Sequence, residues 1–405
     1  MQRRHLLHWA SALPLTGYMD RLQAALPGAG TPRLLVVFLR GAYDCCSLLV
    51  PTHSDYYWAA RPTIAIARPG QACGALALDG QWGLHPVLED CIYPLFQNGQ
   101  ACFIPFAGID DLSRSHFETQ DAIELGQPPG GHRNYPSGFL NRLAQVLARG
   151  RPSTPVMPMA FTSQLPLVLR GRQQVANMEL RSVTKPGIDE ARSRLIASMY
   201  QGTPLEAAVH EGFAVSHAVQ NSVQQEMEQA GRNAISPRGF ALVARRMAAL
   251  MRERFDLGFV DVGGWDTHIN QGGSRGPLAN RLRELGQGLS SFAQEIGPEP
   301  WRHTVVVVLS EFGRTFRENG SQGTDHGHGT VYWLLGGGLS SSAGGRIVGE
   351  QIELGEKSLF QNRDHPVLNE YRAVLGGLFA RMYGLNAQHM QQVFSGVSPR
   401  DLQLV

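Results

Sequence analysis

The run Ser310-Glu311-Phe312-Gly313-Arg314-Thr315, followed by Gly323-Thr324-Asp325-His326-Gly327-His328-Gly329, gathers two acids, two histidines and an arginine into one short stretch. Carboxylates and imidazoles together form the donor set of a transition-metal site, and an arginine fork suits the oxygens of a phosphate or sulfate. For Arg314, a salt bridge to Glu311 or Asp325 is an equal alternative. A second stretch, Gly263-Gly264-Trp265-Asp266-Thr267-His268, sets an acid and a histidine two residues apart. In an extended backbone such a pair points the same way and offers an oxygen and a nitrogen to one cation. Asp44 closes Arg40-Gly41-Ala42-Tyr43-Asp44, and taken alone it reads as a capping acid. Ser115, with Glu118 three residues on, has the spacing of a capping box at a helix start. The same position beside Arg114 puts a hydroxyl where backbone N–H groups and the helix dipole favour an anion.

These acids become more informative once the elements before them are read. Residues 304–309 are an unbroken apolar, largely β-branched run, the signature of a strand covered on both faces in a parallel sheet. Residues 33–39 read as a first buried strand and 257–262 as another strand, so Asp44, Asp266 and Glu311 each follow a strand, where open α/β folds bind ligands. Four acids (Asp44, Asp266, Glu311, Asp325) and three histidines (His268, His326, His328) suit zinc, manganese or iron better than calcium. They could hold one ion, or two ions ~3.5–4 Å apart that clamp the attacking and leaving oxygens of phosphoryl or sulfuryl transfer. His53 and His85 read as structural, and His210 and His217 as a solvated helix face.

Further strands are expected at 102–106 and 155–161, each weakened by a proline, and at 330–335. Helices are expected near 85–97, at 139–148 and at 278–292, and a helical insertion over about 165–255 interrupts the sheet pattern. A flexible loop over 336–345 and a strand-like entry with a helix over 364–383 close the chain. The fold class is therefore α/β, a mostly parallel central sheet between helical layers, in a single domain over 31–405.

At 405 residues the chain can bury a large core. Charged residues are 17% of it, against roughly 25% in typical soluble proteins, and 46 glycines point to many tight loops. A net charge of +2 without a Lys/Arg block excludes the usual footprint of a nucleic-acid binder. Five cysteines lack zinc-finger spacing, and their pairing is not legible. Arg3-Arg4 before an apolar stretch to Tyr18 outlines a twin-arginine export signal within residues 1–30, with an ordinary basic helix as the alternative. No other apolar run approaches the ~20 residues that span a bilayer.

In combination, Val37-Phe38-Leu39-Arg40-Gly41-Ala42-Tyr43-Asp44, Arg114-Ser115-His116-Phe117, Gly264-Trp265-Asp266-Thr267-His268, Ser310-Glu311-Phe312-Gly313-Arg314-Thr315, Gly323-Thr324-Asp325-His326-Gly327 and Tyr371-Arg372-Ala373-Val374 resemble the DUF1501 family. This bacterial group, commonly with a twin-arginine leader, is related to the alkaline phosphatase and sulfatase superfamily. The resemblance implies an alkaline phosphatase-like sheet. It also implies metal acids at Asp44 and Glu311, a metal pair at Asp266 and His268, a last metal histidine at His326 or His328, and a nucleophile position at Ser115. Phosphatases of the superfamily carry Asp-His where this chain has Glu311-Phe312, and Cys45-Cys46 stands where the family prefers small polar residues.

The expectation is an exported, periplasmic, metal-dependent hydrolase of a phosphate or sulfate ester, borne on a small molecule or a polymer. Ser115 or a bound water would be the nucleophile, with Arg314 and Arg114 on the non-bridging oxygens. The alternatives are a metal-stabilised binding or assembly protein of the cell envelope without turnover, and a purely structural envelope component.

Overall fold

A computed structural model describes residues 30–128, 136–150, 156–180, 190–213 and 239–405. The expected signal segment, up to residue 29, and His217 lie outside the described residues. Eleven strands are described: β1 (Arg33–Leu39), β2 (Leu49–Pro51), β3 (Leu76–Ala77), β4 (Trp82–Leu84), β5 (Ala101–Gly108), β6 (Pro158–Ala160), β7 (Ala176–Asn177), β8 (Leu257–Val262), β9 (Thr304–Ser310), β10 (Thr330–Leu335) and β11 (Asn369–Glu370). Eight form one sheet in the order β11-β5-β10-β9-β1-β8-β6-β7, and β2, β4 and β3 form a small second sheet.

The unbroken apolar runs have the predicted cause. Along β1, Leu35, Val37 and Leu39 enter one core while Leu34, Val36 and Phe38 enter another on the opposite face. Both faces are dry, so alternation would leave polar side chains unsolvated. The first core takes the helices Phe240–Glu253 and Pro277–Ile296, and the second takes Phe139–Gly150 and Tyr371–Tyr383. Within Pro277–Ile296, Leu278, Leu282, Leu285, Leu289, Phe292 and Ile296 are buried on one stripe, each contributing about 1.5–3 kcal/mol of transfer free energy.

The central strands fix the height of the site. β1 runs parallel to β8 and β9, with Leu39 level with Val262 and with Ser310. All three chains therefore leave the sheet at one edge. β10 is the antiparallel member, paired with both β9 and β5. No crossover helix lies between β9 and β10, so the chain turns back directly, and the segment before Thr330 returns to the edge where β9 ended. β5 reaches that edge from the other side of β10. Its Pro105 is accommodated by a shift in register between Thr330 and Tyr332, a bulge at which Phe106 takes φ +53°.

Other expectations are modified locally. The region near 85–97 is a short turn, Pro86–Leu88, and a separate helix, Ile92–Gln97, the first capped by His85. Within 165–255, β7 pairs with β6 as the last strand of the main sheet, so this region is not all helical. Helix is described at Glu190–Met199, residues 206–213 and Phe240–Glu253.

Candidate functional site

The helix His116–Leu125 begins just beyond the carboxyl end of β5. Ser115 is its N-cap residue but makes no cap hydrogen bond, so the expected capping box does not form. The first helical residue, His116, faces the sheet edge. Its Nδ1 lies 2.8 Å from Glu311 Oε1, directly after β9. Glu311 is fully buried; burial raises its pKa, but the hydrogen bonds from His116, Gln120 and Ser310 outweigh this and hold it below the usual carboxylate range. An ionised carboxylate only accepts, so His116 Nδ1 carries the proton and Nε2 keeps its lone pair.

His326 arrives from the opposite side. Gly313 N–H donates to the His328 carbonyl, Gly327 N–H donates to the Gly313 carbonyl, and Arg314 bridges His326 in an antiparallel pair. This requires glycine, because a Cβ on Gly313 would lie 1.9 Å from the Gly329 oxygen. His326 Nδ1 lies 3.0 Å from the carbonyl of Arg114, a residue held at φ +49°, a costly backbone conformation away from glycine. A carbonyl accepts only, so here too Nε2 is the free nitrogen. Burial, opposed by that carbonyl and reinforced by His116, lowers the His326 pKa and favours the neutral ring.

His268 differs, because carboxylates face both of its nitrogens, Asp325 at Nδ1 and Asp266 at Nε2. Its Nδ1 lies 3.1 Å from Asp325 Oδ1, whose ionised form is favoured because Asn319, His268 and Arg314 outweigh burial. Two Nε2 atoms meet that of His326, which lies 2.9 Å from His116 and 3.2 Å from His268. Asp266 completes the group, with Oδ1 2.9 Å from His268 Nε2 and 3.4 Å from His326 Nε2, and Oδ2 3.6 Å from His116 Nε2. His116, Asp266 and His326 can each offer a ligand atom within 4.8 Å of the others.

The site has one open side, since the Asp266 and His268 side chains are 43% and 41% exposed. Beneath them Arg314 is 0% exposed; its guanidinium comes within 2.8 Å of Asp266 Oδ1 without the alignment of a hydrogen bond, and none of its three nitrogens is hydrogen-bonded. Asp266 stays ionised because Arg314 and His268 outweigh burial. Gly41 bridges two strand ends. Its N–H donates to Glu311 Oε1, and a Cβ there would lie 2.9 Å from the Asp266 amide nitrogen.

The sequence-predicted residues thus divide. Asp266, His268 and His326 meet directly, Glu311 and Asp325 stand behind them as acceptors for ring N–H groups, and Arg314 lies beneath. Asp44 stands apart, fully buried, with Arg61 paired to both oxygens at 2.5 and 3.0 Å and with Ser47 and Gln271 donating to it. Burial raises its pKa and Arg61 more than reverses the effect. His328 is turned to Asp110 and stacked on Phe360, away from the other imidazoles. The Arg114 side chain pairs with Asp364 and Gln361. His116 is not among the sequence-predicted residues, although it lies within Arg114-Ser115-His116-Phe117. The available signal was a histidine at a helix start just after a strand. Phe312 is buried, with its ring stacked on His116 at 4.9 Å, and so forms the wall against which that imidazole rests.

Among solved structures, the chain is similar to Ps i-CgsB in complex with k-i-k-neocarrahexaose, at 9% identity and TM-score 0.43 over 92% of this chain and 75% of that one. It is also similar to the lipoteichoic acid synthase LtaP from Listeria monocytogenes, at 10% identity and TM-score 0.35 over 94% and 77%. A third is a protein in the alkaline phosphatase superfamily from Vibrio parahaemolyticus, at 12% identity and TM-score 0.30 over 77% and 62%. No curated protein matches the chain. Residues 105–394, well over half of the sequence, match the family described as Protein of unknown function (DUF1501), and the chain belongs to that family.

Proposed function

We propose that this chain is a metal-dependent hydrolase of phosphate or sulfate esters, working at the edge where β1, β8 and β9 end. The observation that carries the reading is the grouping of His116 and His268 Nε2 about that of His326, with the Asp266 carboxylate beside them and an acceptor at the Nδ1 of each ring. Lone pairs at 2.9 and 3.2 Å repel one another unless a proton or a cation lies between them. Oriented Nδ1–H groups are the usual support of metal-bound histidine. Zn–N bonds of about 2.0–2.1 Å at tetrahedral angles place nitrogens about 3.3–3.4 Å apart, close to the spacing here. His116, His268, His326 and Asp266 would hold one divalent ion, zinc or manganese. When bound, it would neutralise ester charge and ease ionisation of a hydroxyl nucleophile.

The chain's own groups do the rest. Glu311, Asp325 and the Arg114 carbonyl each take the Nδ1–H of one ring and so orient its Nε2 toward the shared space. The buried Arg314, ion-paired with Asp266 through Nη2, has N–H groups at Nε and Nη1 left for a non-bridging oxygen, an interaction strengthened by its dry surroundings. Ser115, with its hydroxyl free of any cap bond, is the nucleophile on the chain; a water is the alternative. We further propose that residues 31–405 act as one domain, exported by the twin-arginine route. Among the described residues no helix is long and apolar enough to cross a membrane. Replacing Arg3 and Arg4 by lysine should leave the protein in the cytoplasm if that route is used.

A second reading, a metal-stabilised envelope binding or assembly protein, is favoured by one observation: Asp44 is consumed by Arg61, which leaves donors for one ion at the open edge. Metal analysis of purified protein, with turnover of aryl phosphates and aryl sulfates by wild type, His326→Ala, Asp266→Ala and Ser115→Ala, separates the two. Stoichiometric metal with turnover lost in the variants supports the hydrolase. Metal without turnover above the variants on any ester supports the binding protein, and absence of metal removes both.

A further inference from the structure

Behind the open site, and sharing no residue with it, lies a second group of ligand-type side chains. Cys45 and Cys46 open the short helix after Asp44, and His365 comes from the segment before β11. All three are buried, at 1%, 0% and 1% exposure. Cys46 Sγ lies 3.3 Å from His365 Nε2, and Cys45 Sγ lies 3.8 Å from Nδ1 of the same ring. One donor atom from each residue falls within 4.8 Å of the others. The Gly329 carbonyl is 4.0 Å from Cys45 Sγ. The rings of Phe106 and Phe316 close over His365 at 5.1 and 5.7 Å.

We propose that Cys45, Cys46 and His365, with the Gly329 carbonyl, form a structural site for a thiophilic cation of the Zn(II) class. Two sulfurs and an imidazole select soft or borderline cations over magnesium or calcium. Zn–S bonds of about 2.3 Å with Zn–N bonds of about 2.0–2.1 Å give a tetrahedral S···N spacing of about 3.5 Å, against 3.3 Å for Cys46 and His365. The apolar lid suits a closed structural site rather than one with an open coordination position. Among the described residues no other cysteine belongs to such a cluster. The role of the site follows from its connections. Gly329 N–H donates to the His365 carbonyl, so the cation would pin the chain after β1 to the segments entering β10 and β11. Those are the segments that carry His326 and the Asp364 partner of Arg114.

The test uses the full chain, refolded under reducing conditions with Co(II) as the probe. Thiolate-to-cobalt charge-transfer absorption in the near ultraviolet reports the sulfur site alone, because the histidine cluster has no sulfur. The expected result is this band with one equivalent of Co(II) per chain that resists EDTA in the folded state, while any metal in the half-exposed histidine cluster is stripped. His116→Ala should keep the band, and Cys45→Ser/Cys46→Ser should lose it together with that equivalent. If the double variant fails to fold, His365→Gln, which leaves both thiols, should lose the EDTA-resistant equivalent. Wild type without the band, or a native chain isolated with a Cys45–Cys46 disulfide, would overturn the proposal whatever the histidine cluster binds.

Discussion

His116 changes what the phenylalanine after Glu311 means. The position after Glu311 holds a ring that stacks on His116, and the imidazole itself comes from a helix in another part of the chain. The acceptors behind the rings then become the sensitive residues. Glu311→Gln would exchange an obligate acceptor for a group able to rotate its NH2 toward His116 Nδ1. Metal affinity, measured by competition with a chelator, should fall by about 10–100-fold, the usual cost of losing such support, with little change in secondary structure by circular dichroism. Asp44 should behave in the opposite way. Asp44→Ala strands the fully buried Arg61 guanidinium, and breaking a buried pair from one side costs about 3–5 kcal/mol. Denaturant midpoints should drop accordingly, while the variant that still folds keeps its metal stoichiometry. Loss of metal without loss of stability would instead make Asp44 a ligand.

The elements explain both what the sequence disclosed and what it withheld. β1 and β9 were legible because a strand dry on both faces is apolar nearly throughout, and the acids beyond their ends stood out by contrast, whereas β8 carries the part-exposed Asp261 within it. Asp266 and His268 were legible as a pair because their spacing is local. His116 was hidden because its partners, Glu311 and His326, lie 195 and 210 residues away, and no short-range pattern records such a distance. His328 was misleading for the converse reason. Its spacing from His326 suggested shared ligation, but Asp110, just past the end of β5, engages it. The antiparallel course of β10 depends on the absence of a crossover helix after β9, which composition does not show. The pairing of residues 313–315 with 325–328 yields a prediction at this scale. Gly313→Ala would drive a methyl group into the Gly329 oxygen at 1.9 Å. Separating the two segments should cost on the order of 1–3 kcal/mol and withdraw His326 from the other imidazoles. Thermal unfolding and metal titration of this variant should therefore fail together, whereas Gly320→Ala, which meets nothing within 4 Å, should leave both unchanged.

Across the whole molecule, the small sheet must be held to its surroundings, and His85 ties the end of β4 to the loop that follows β8. It follows β4 and is fully buried; its Nδ1 accepts from Val87 N–H, and its Nε2–H donates to the Gly273 carbonyl. Both ring nitrogens are committed to the neutral form, since a second proton on Nδ1 would face the Val87 N–H. Burial is the main cause that pushes its pKa down to about 4, partly countered by Gly273 and aided by Arg283. The unfolded chain binds the proton near pH 6.5, so between the two values it binds protons that the native state does not. Stability is therefore complete above about pH 6.5 and falls as pH drops toward 4, by on the order of 3 kcal/mol for this one group. His326, also lowered by burial, acts in the same direction, and any bound metal would steepen the loss. Denaturation across this range in the presence of a chelator isolates the imidazoles, and comparison with His85→Gln isolates His85. The variant should be less stable than wild type at neutral pH yet flatter between pH 6.5 and 4. Parallel curves would mean that His85 titrates alike in both states and that its bond to the Gly273 carbonyl is not held in the native protein.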